Sequence, residues 1–163
     1  MCRVYSWGCI VIALLLCSCQ GTTFSSSVPR YPVYFNIDTR QGAFVHFIPT
    51  AVTSYVLAKD KGLYYNDQLV QPRLDVHAYG YGGVVVYIDI MGNYNAYDLA
   101  CPYCAGRGMK RSCAVDGIYA VCPECGEQYD LGSGTAVPRN GIARESMLRI
   151  PVTNSGGNLI IRQ

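Results

Sequence analysis

Val84-Val-Val-Tyr-Ile-Asp-Ile-Met-Gly-Asn-Tyr-Asn-Ala-Tyr-Asp-Leu-Ala-Cys-Pro-Tyr-Cys104 is the stretch that decides the fold. Residues 84–90 are nearly all apolar and β-branched, which is typical of a central strand buried on both faces. Met91-Gly92-Asn93 is a turn signal, and 94–99 continues as a second strand. The sequence therefore predicts a hairpin over 84–99 that leads directly into a Cys-x-x-Cys pair.

Shorter patterns on both sides of this hairpin add further strands. Val33, Phe35 and Ile37 alternate with polar neighbours over 32–38, which is the period of a half-buried strand. Similar signals predict strands at 44–48, 74–78, 118–121 and 159–161. A short helix is predicted within 51–63. Many short strands separated by turns predict a mainly β fold, a small antiparallel β-sandwich or barrel.

The composition favours a folded domain and argues against several functions. Half of the 163 residues are hydrophobic and 15% are charged, which supports a real core. The net charge of +2 comes without a basic stripe, so nucleic-acid binding is not expected. The two histidines are scattered, and no Ser-His-Asp arrangement can be built from them. We therefore predict no catalytic residue.

The first 29 residues are typical of an export signal followed by a lipid attachment site. Arg3 gives a positive start, and the apolar run 7–16 is shorter than the roughly 20 residues that a membrane helix needs. The run ends in Leu16-Cys-Ser-Cys19, which resembles the lipobox of bacterial lipoproteins. This resemblance implies a signal peptide at 1–18, lipid on Cys19, a tether to residue 29 and a domain over 30–163. The protein is then exported and held on the periplasmic side or cell surface of a bacterial membrane. An ordinary cleaved signal peptide is the alternative.

Two Cys-x-x-Cys pairs form the strongest site signal in the chain. Cys101 and Cys104 make the first pair, Cys122 and Cys125 make the second, and residues 105–121 separate them. Four-cysteine zinc sites use two pairs at such a spacing. A proline at the second position of each pair presets a tight turn, and Gly126 frees the backbone after the second pair. We expect the four sulfurs to meet at one ion, with no open coordination position for catalysis.

Other interpretations of these cysteines remain open. In an oxidising compartment the two pairs could be joined by disulfides, or the thiols could be free. Thiol–disulfide exchange is less favoured, since both pairs are predicted on β loops without a following helix. Cys113 is the odd cysteine, and it is predicted to be a buried apolar residue or a reserve partner. The basic residues Arg107, Lys110 and Arg111 could offset the charge of four thiolates, or simply form an exposed loop.

Several segments resemble Rieske proteins. Cys122-Pro-Glu-Cys-Gly-Glu-Gln-Tyr-Asp-Leu-Gly-Ser-Gly134 is similar to the second cluster loop of that family. Tyr94 to Pro102 is similar to the strand that enters the first cluster loop, and Pro138 to Ala143 to the family's Gly-Pro-Ala loop. The resemblance covers roughly residues 75–152. It implies a Rieske-like β domain with two cysteine-bearing metal loops.

The chain departs from that family at the ligands. A Rieske [2Fe–2S] centre uses two cysteines and two histidines. Here position 103 is Tyr and position 125 is Cys, and His46 and His77 lie outside both loops. The leader has no twin-arginine pair, which predicts export of an unfolded chain and disfavours a cluster assembled in the cytoplasm. Zinc in a structural, non-catalytic site is therefore the preferred cofactor. A [2Fe–2S] cluster in an all-cysteine, electron-transfer site is the alternative, and a disulfide-stabilised binding domain is a second alternative.

Overall fold

A computed structural model describes residues 25–51, 53–72 and 78–163. Within these ranges the chain is mainly antiparallel β, which confirms the predicted fold class. Its helices are α1 (Pro102–Ala105) and two 3-10 helices, Gly42–His46 and Leu131–Ser133. Its strands are β1 (Tyr34–Asp38), β2 (Tyr55–Lys59), β3 (Gly62–Tyr65), β4 (Gln68–Gln71), β5 (Val84–Ile88), β6 (Tyr94–Asp98), β7 (Ala114–Asp116), β8 (Tyr119–Val121), β9 (Gln128–Asp130), β10 (Val137–Pro138), β11 (Arg149–Ile150), β12 (Val152–Ser155) and β13 (Asn158–Arg162).

The strands form three antiparallel sheets. The largest has the order β11-β6-β5-β2-β3-β4, and the predicted hairpin β5–β6 lies near its middle. A three-stranded sheet, β1-β13-β12, pairs the start of the domain with its end. A four-stranded sheet, β10-β9-β8-β7, carries the second cysteine pair in the turn between β8 and β9.

Strand β5 is apolar throughout because both of its faces are buried. Val84, Val86 and Ile88 pack in one buried cluster with side chains of β1 and β13. Val85 and Tyr87 point the other way, into a second cluster that contains cysteines and side chains of β8 and β9. The large sheet is therefore the middle of three layers. The cysteine-bearing loops lie on the side of it that faces away from β1 and β13.

Two sequence predictions are wrong. Residues 44–48 alternate like a strand, but Gly42–His46 is a 3-10 helix. Phe44 within it and Phe47 at its C-cap, three residues apart, turn towards the core. His46, which lies in this helix, is exposed. The helix predicted within 51–63 is instead the hairpin β2–β3. Asp60 and Lys61 both have positive φ, as two-residue hairpin turns require.

Some predictions fall outside the described residues. The signal peptide at 1–18, Cys19, His77 and most of the predicted strand at 74–78 belong to this group. Within the described ranges, no helix has the length and apolar character needed to cross a membrane.

Candidate metal centre

The first cysteine pair sits at the end of β6, where a single helical turn begins. Cys101 is the N-cap of α1, Pro102 occupies its first turn, and Cys104 lies within it. The Ala105 N–H donates to the Cys101 carbonyl over 2.9 Å, which closes the turn. The first pair itself forms a helical turn, where a β loop was predicted, because proline at the first helical position favours this turn. Both sulfurs are thereby directed to the same side of the loop.

The second cysteine pair forms the tight turn that its sequence predicted. The Gly126 N–H donates to the Cys122 carbonyl, and the Cys122 N–H donates to the Glu127 carbonyl, each over 2.9 Å. Gly126 has a φ of 73°, a left-handed conformation that glycine adopts without steric cost. The turn folds Cys125 back beside Cys122.

The four predicted ligands meet at one point. The sulfurs of Cys101, Cys104, Cys122 and Cys125 all lie within 4.8 Å of one another. Between the loops, the sulfurs of Cys101 and Cys125 lie 3.7 Å apart and those of Cys104 and Cys122 lie 3.8 Å apart. These distances exceed the S–S bond length of about 2.05 Å, and the cysteines of the described residues are free thiols. The four sulfurs therefore lie close enough together to bind one metal ion.

Burial and hydrogen bonding make the four thiols unequal. Cys101, Cys104 and Cys122 have no exposed surface, whereas Cys125 is partly exposed. A hydrogen bond with the Cys113 thiol holds the pKa of Cys101 well below its ordinary value, against the opposing effect of burial. Burial raises the pKa of Cys104, and raises that of Cys125 to about 11. Cys101 is therefore more acidic than Cys104 and Cys125.

The basic residues between the two pairs lie at the rim of the site. Arg111 donates to Glu124 over 2.9 Å, which links the two cysteine loops at their surface. That contact is the main cause of the raised pKa of Arg111, and the negative charges of Cys104 and Cys122 raise it further. The Arg107 guanidinium stacks 3.6 Å from the centre of the Tyr103 ring. Arg111 is thus close enough to offset part of the thiolate charge.

Two residues around the site were not predicted to have a role there. Tyr129 is fully buried, and its hydroxyl lies 3.4 Å from the Cys101 sulfur. Glu127 is also fully buried; its carboxylate accepts from the Asn140 N–H over 2.7 Å and from the Ala143 N–H over 2.8 Å. The inward position of Tyr129 could have been found from the alternation of β9. Nothing in the local sequence signals that Glu127 is buried, because its partners lie more than a dozen residues away.

An N-terminal segment, residues 25–28, also contacts the first cysteine loop. The Ser27 N–H and hydroxyl donate to the two carboxylate oxygens of Glu145, over 2.6 and 2.9 Å. Val28 is buried with Ala100 and Leu148, next to the entry to the first pair. The segment therefore lies on the loop that carries Cys101 and Cys104.

Comparisons with known proteins assign no family. No family model matches the chain, and no curated protein matches it. Among solved structures, the chain is similar to a ferredoxin of Sphingomonas yanoikuyae B1, at 18% sequence identity and a TM-score of 0.38. That match covers 71% of this chain and 93% of the ferredoxin. The described residues form a mainly antiparallel β protein in which four cysteines lie close enough together to bind a metal ion.

Proposed function

We propose that the protein is an exported, lipid-anchored domain in which one zinc ion stabilises the fold. Cys101, Cys104, Cys122 and Cys125 would hold the ion, and Cys19 would carry the lipid. The observation that carries the metal site is the convergence of four sulfurs within 4.8 Å. The role is structural, because four protein ligands leave no coordination position for a substrate or an activated water.

The size of the cluster favours a single ion. A zinc–sulfur bond of about 2.3 Å gives a tetrahedron whose edges are about 3.8 Å long. Two of the six separations, 3.7 Å and 3.8 Å between the loops, match such edges, and all six lie within 4.8 Å. A [2Fe–2S] cluster distributes its four thiolates over two irons. Sulfurs on different irons then stand farther apart than the edge of one tetrahedron, so a cluster would require the loops to separate.

The proposed ion would join two sheets that also pack against each other through a shared buried cluster. One pair of ligands follows β6 of the middle sheet, and the other lies in the turn between β8 and β9 of the four-stranded sheet. Across the mouth of the site, the loops are linked by the exposed ion pair of Arg111 and Glu124. Such exposed pairs contribute about 0–1 kcal/mol. Metal binding is therefore expected to add to the free energy that the buried cluster supplies, chiefly by holding the two cysteine loops together.

Metal analysis combined with thermal unfolding tests the metal site. Protein purified without added metal should contain one zinc per chain, be colourless, and lose about 10 °C or more of Tm when a strong chelator removes the ion. Cys122→Ser should melt near the chelated wild type and should not respond to the chelator. Chelator already saturated with zinc is the control.

Other results of this experiment would overturn the zinc proposal. Iron with visible absorption that bleaches on reduction would establish the electron-transfer alternative. A metal-free protein with an unchanged Tm would remove the metal site altogether. A mass lower by two hydrogens per cysteine pair would establish disulfides.

Lipid attachment is tested separately, on the peptide that begins at Cys19. The proposal rests on the lipobox-like sequence Leu16-Cys-Ser-Cys19 and the apolar run before it. Mass spectrometry of the protein from bacterial membranes should find acyl chains on Cys19, and Cys19→Ala should move the protein to the soluble fraction. An unacylated N-terminus in a soluble exported protein would instead establish an ordinary signal peptide.

A further inference from the structure

A groove of about 410 Å³ lies at the edge of the middle sheet, where β11 leads into β12. This volume falls within the range of small-molecule sites, about 300–1,000 Å³. Two arginines line the groove: Arg30, which precedes β1, and Arg149 on β11. Among the described residues that line it, none is acidic. The groove therefore carries positive charge, and it is separate from the two cysteine pairs.

Arg149 is held in place by a chain of buried polar side chains. Its guanidinium donates to the side-chain carbonyl of Asn95 over 2.9 Å, and the Asn95 amide donates to the Asp89 carboxylate over 2.8 Å. Asn95 is 2% exposed and Asp89 is 5% exposed. The backbone N–H groups of Met91 and Asn93 fix the Asp89 carboxylate in turn, each over 2.9 Å. One end of the Arg149 guanidinium is thus anchored to the sheet before any ligand arrives.

Neither guanidinium of the groove has an ion-pair partner within the described part of the chain. The Arg30 side chain makes no hydrogen bond there, and the Arg149 guanidinium bonds only to Asn95. Guanidinium groups bind phosphate through pairs of parallel N–H···O bonds. A phosphate monoester carries about −1.5 to −2 charges at pH 7. Its charge therefore matches that of two guanidinium groups which no carboxylate neutralises directly.

The rest of the groove offers apolar surface, to which Tyr94, Pro151 and Val152 contribute. We propose that the groove binds a phosphate monoester of a small organic molecule. The phosphate would lie between the guanidinium groups of Arg30 and Arg149, and the organic part would pack on the apolar wall. Binding is non-covalent and uses none of the four cysteines that would hold zinc. This inference therefore does not depend on the proposed function.

Calorimetric titration of the purified protein with phenyl phosphate tests the groove. Wild type should bind one phenyl phosphate per chain. Arg30→Met and Arg149→Met should each weaken binding by about 10- to 100-fold, the effect of losing a hydrogen bond to a charged group. Arg149→Lys keeps the charge but not the forked geometry of a guanidinium, and should also bind more weakly than wild type. Arg139→Met is the matched control: Arg139 pairs with Asp130 on the four-stranded sheet, and its loss should leave binding unchanged.

Two further probes identify the source of the phosphate. Inorganic phosphate should bind more weakly than phenyl phosphate, because it makes no contact with the apolar wall. Cys19→Ala protein should not bind phosphatidylcholine vesicles more tightly when they contain phosphatidic acid; binding that required both arginines would assign the phosphate to a lipid headgroup instead.

Three results would overturn the proposal. The first is a folded wild-type protein that does not bind phenyl phosphate. The second is unchanged binding in Arg30→Met and Arg149→Met. The third is equal weakening by Arg139→Met, which would show attraction to net charge alone. Both groove arginines are exposed, so each variant should keep the Tm of wild type, and thermal unfolding checks that it is folded.

Discussion

Glu127 illustrates how single residues support the site without binding metal. It follows the second cysteine pair directly, has no exposed surface, and fixes residues 140–143 through two backbone N–H groups. Asp98 does the same for the first pair: its buried carboxylate accepts from the N–H groups of Tyr81, Gly82 and Ala100. Burial raises the pKa of Asp98, and these N–H groups oppose that shift. Each cysteine loop is thus held by one buried carboxylate.

Replacing Glu127 with Gln should destabilise the protein more than the same change at a neighbouring exposed residue. The amide NH₂ cannot accept a hydrogen bond, so either the Asn140 or the Ala143 N–H loses its acceptor, at a cost of about 1–3 kcal/mol. Glu124→Gln is the matched control; that side chain is 47% exposed, and the change should cost less than about 1 kcal/mol. Urea unfolding of the metal-loaded proteins measures both. Equal losses would show that Glu127 has no special structural role.

At the scale of elements, the sequence predicted best where a segment's own pattern decides its structure. Residues within a few positions of one another were enough to predict the hairpin β5–β6, the strand β1 and the glycine turn after Cys125. Residues 44–48 and 51–63 failed for opposite reasons. The first shows the alternating pattern of a strand, but its two phenylalanines are three residues apart and share one side of a 3-10 turn. The second lacks alternation because β2 is buried on both faces between β5 and β3.

Local sequence patterns could not predict which distant strands pair with each other. The contact of β1 with β13 joins residues more than a hundred positions apart, and nothing in either strand specifies the other. The convergence of the cysteine pairs was predictable because metal-ligand spacing is itself a long-range pattern. The contact of Cys113 with Cys101 was not, because it depends on the register of a single bridge between 100 and 112.

Gly82 lies against the backbone of Ala100 at the entry to the metal site. A substitution at Gly82 therefore tests how closely the two segments approach. A Cβ added there would collide with the backbone N of Ala100 and would lie 2.7 Å from its Cα. We expect Gly82→Ala to displace the loop before β5 from Asp98 and to cost about 1–3 kcal/mol or more, as overpacking does. Gly108→Ala, where nothing lies within 4 Å but φ is +74°, should cost only about 1 kcal/mol. Thermal unfolding compares them, and a Gly82→Ala protein as stable as Gly108→Ala would contradict this close approach.

At the scale of the whole molecule, the two outer layers are held to the middle sheet in different ways. One side of the middle sheet is closed by β1 and β13 through an apolar cluster that contains no cysteine. The other side is closed by a smaller sheet whose strands have two or three residues each and whose cluster includes four cysteines. Short strands bury little apolar surface, and small units of this kind commonly need a metal or another cross-link. The metal side is therefore the part of the molecule expected to loosen first when the ion is removed.

The attachment of Ser27 to Glu145 has a mechanical consequence. Residues 25–28 are fixed against the loop of the first cysteine pair, and the proposed lipid on Cys19 lies only six residues before Ser25. A pulling force on this short tether would act on the domain beside the proposed ion. The opposite sheet, which contains β1 and β13, would not carry that force directly. The proposed metal link between the two cysteine loops would then be the first interaction to resist the force.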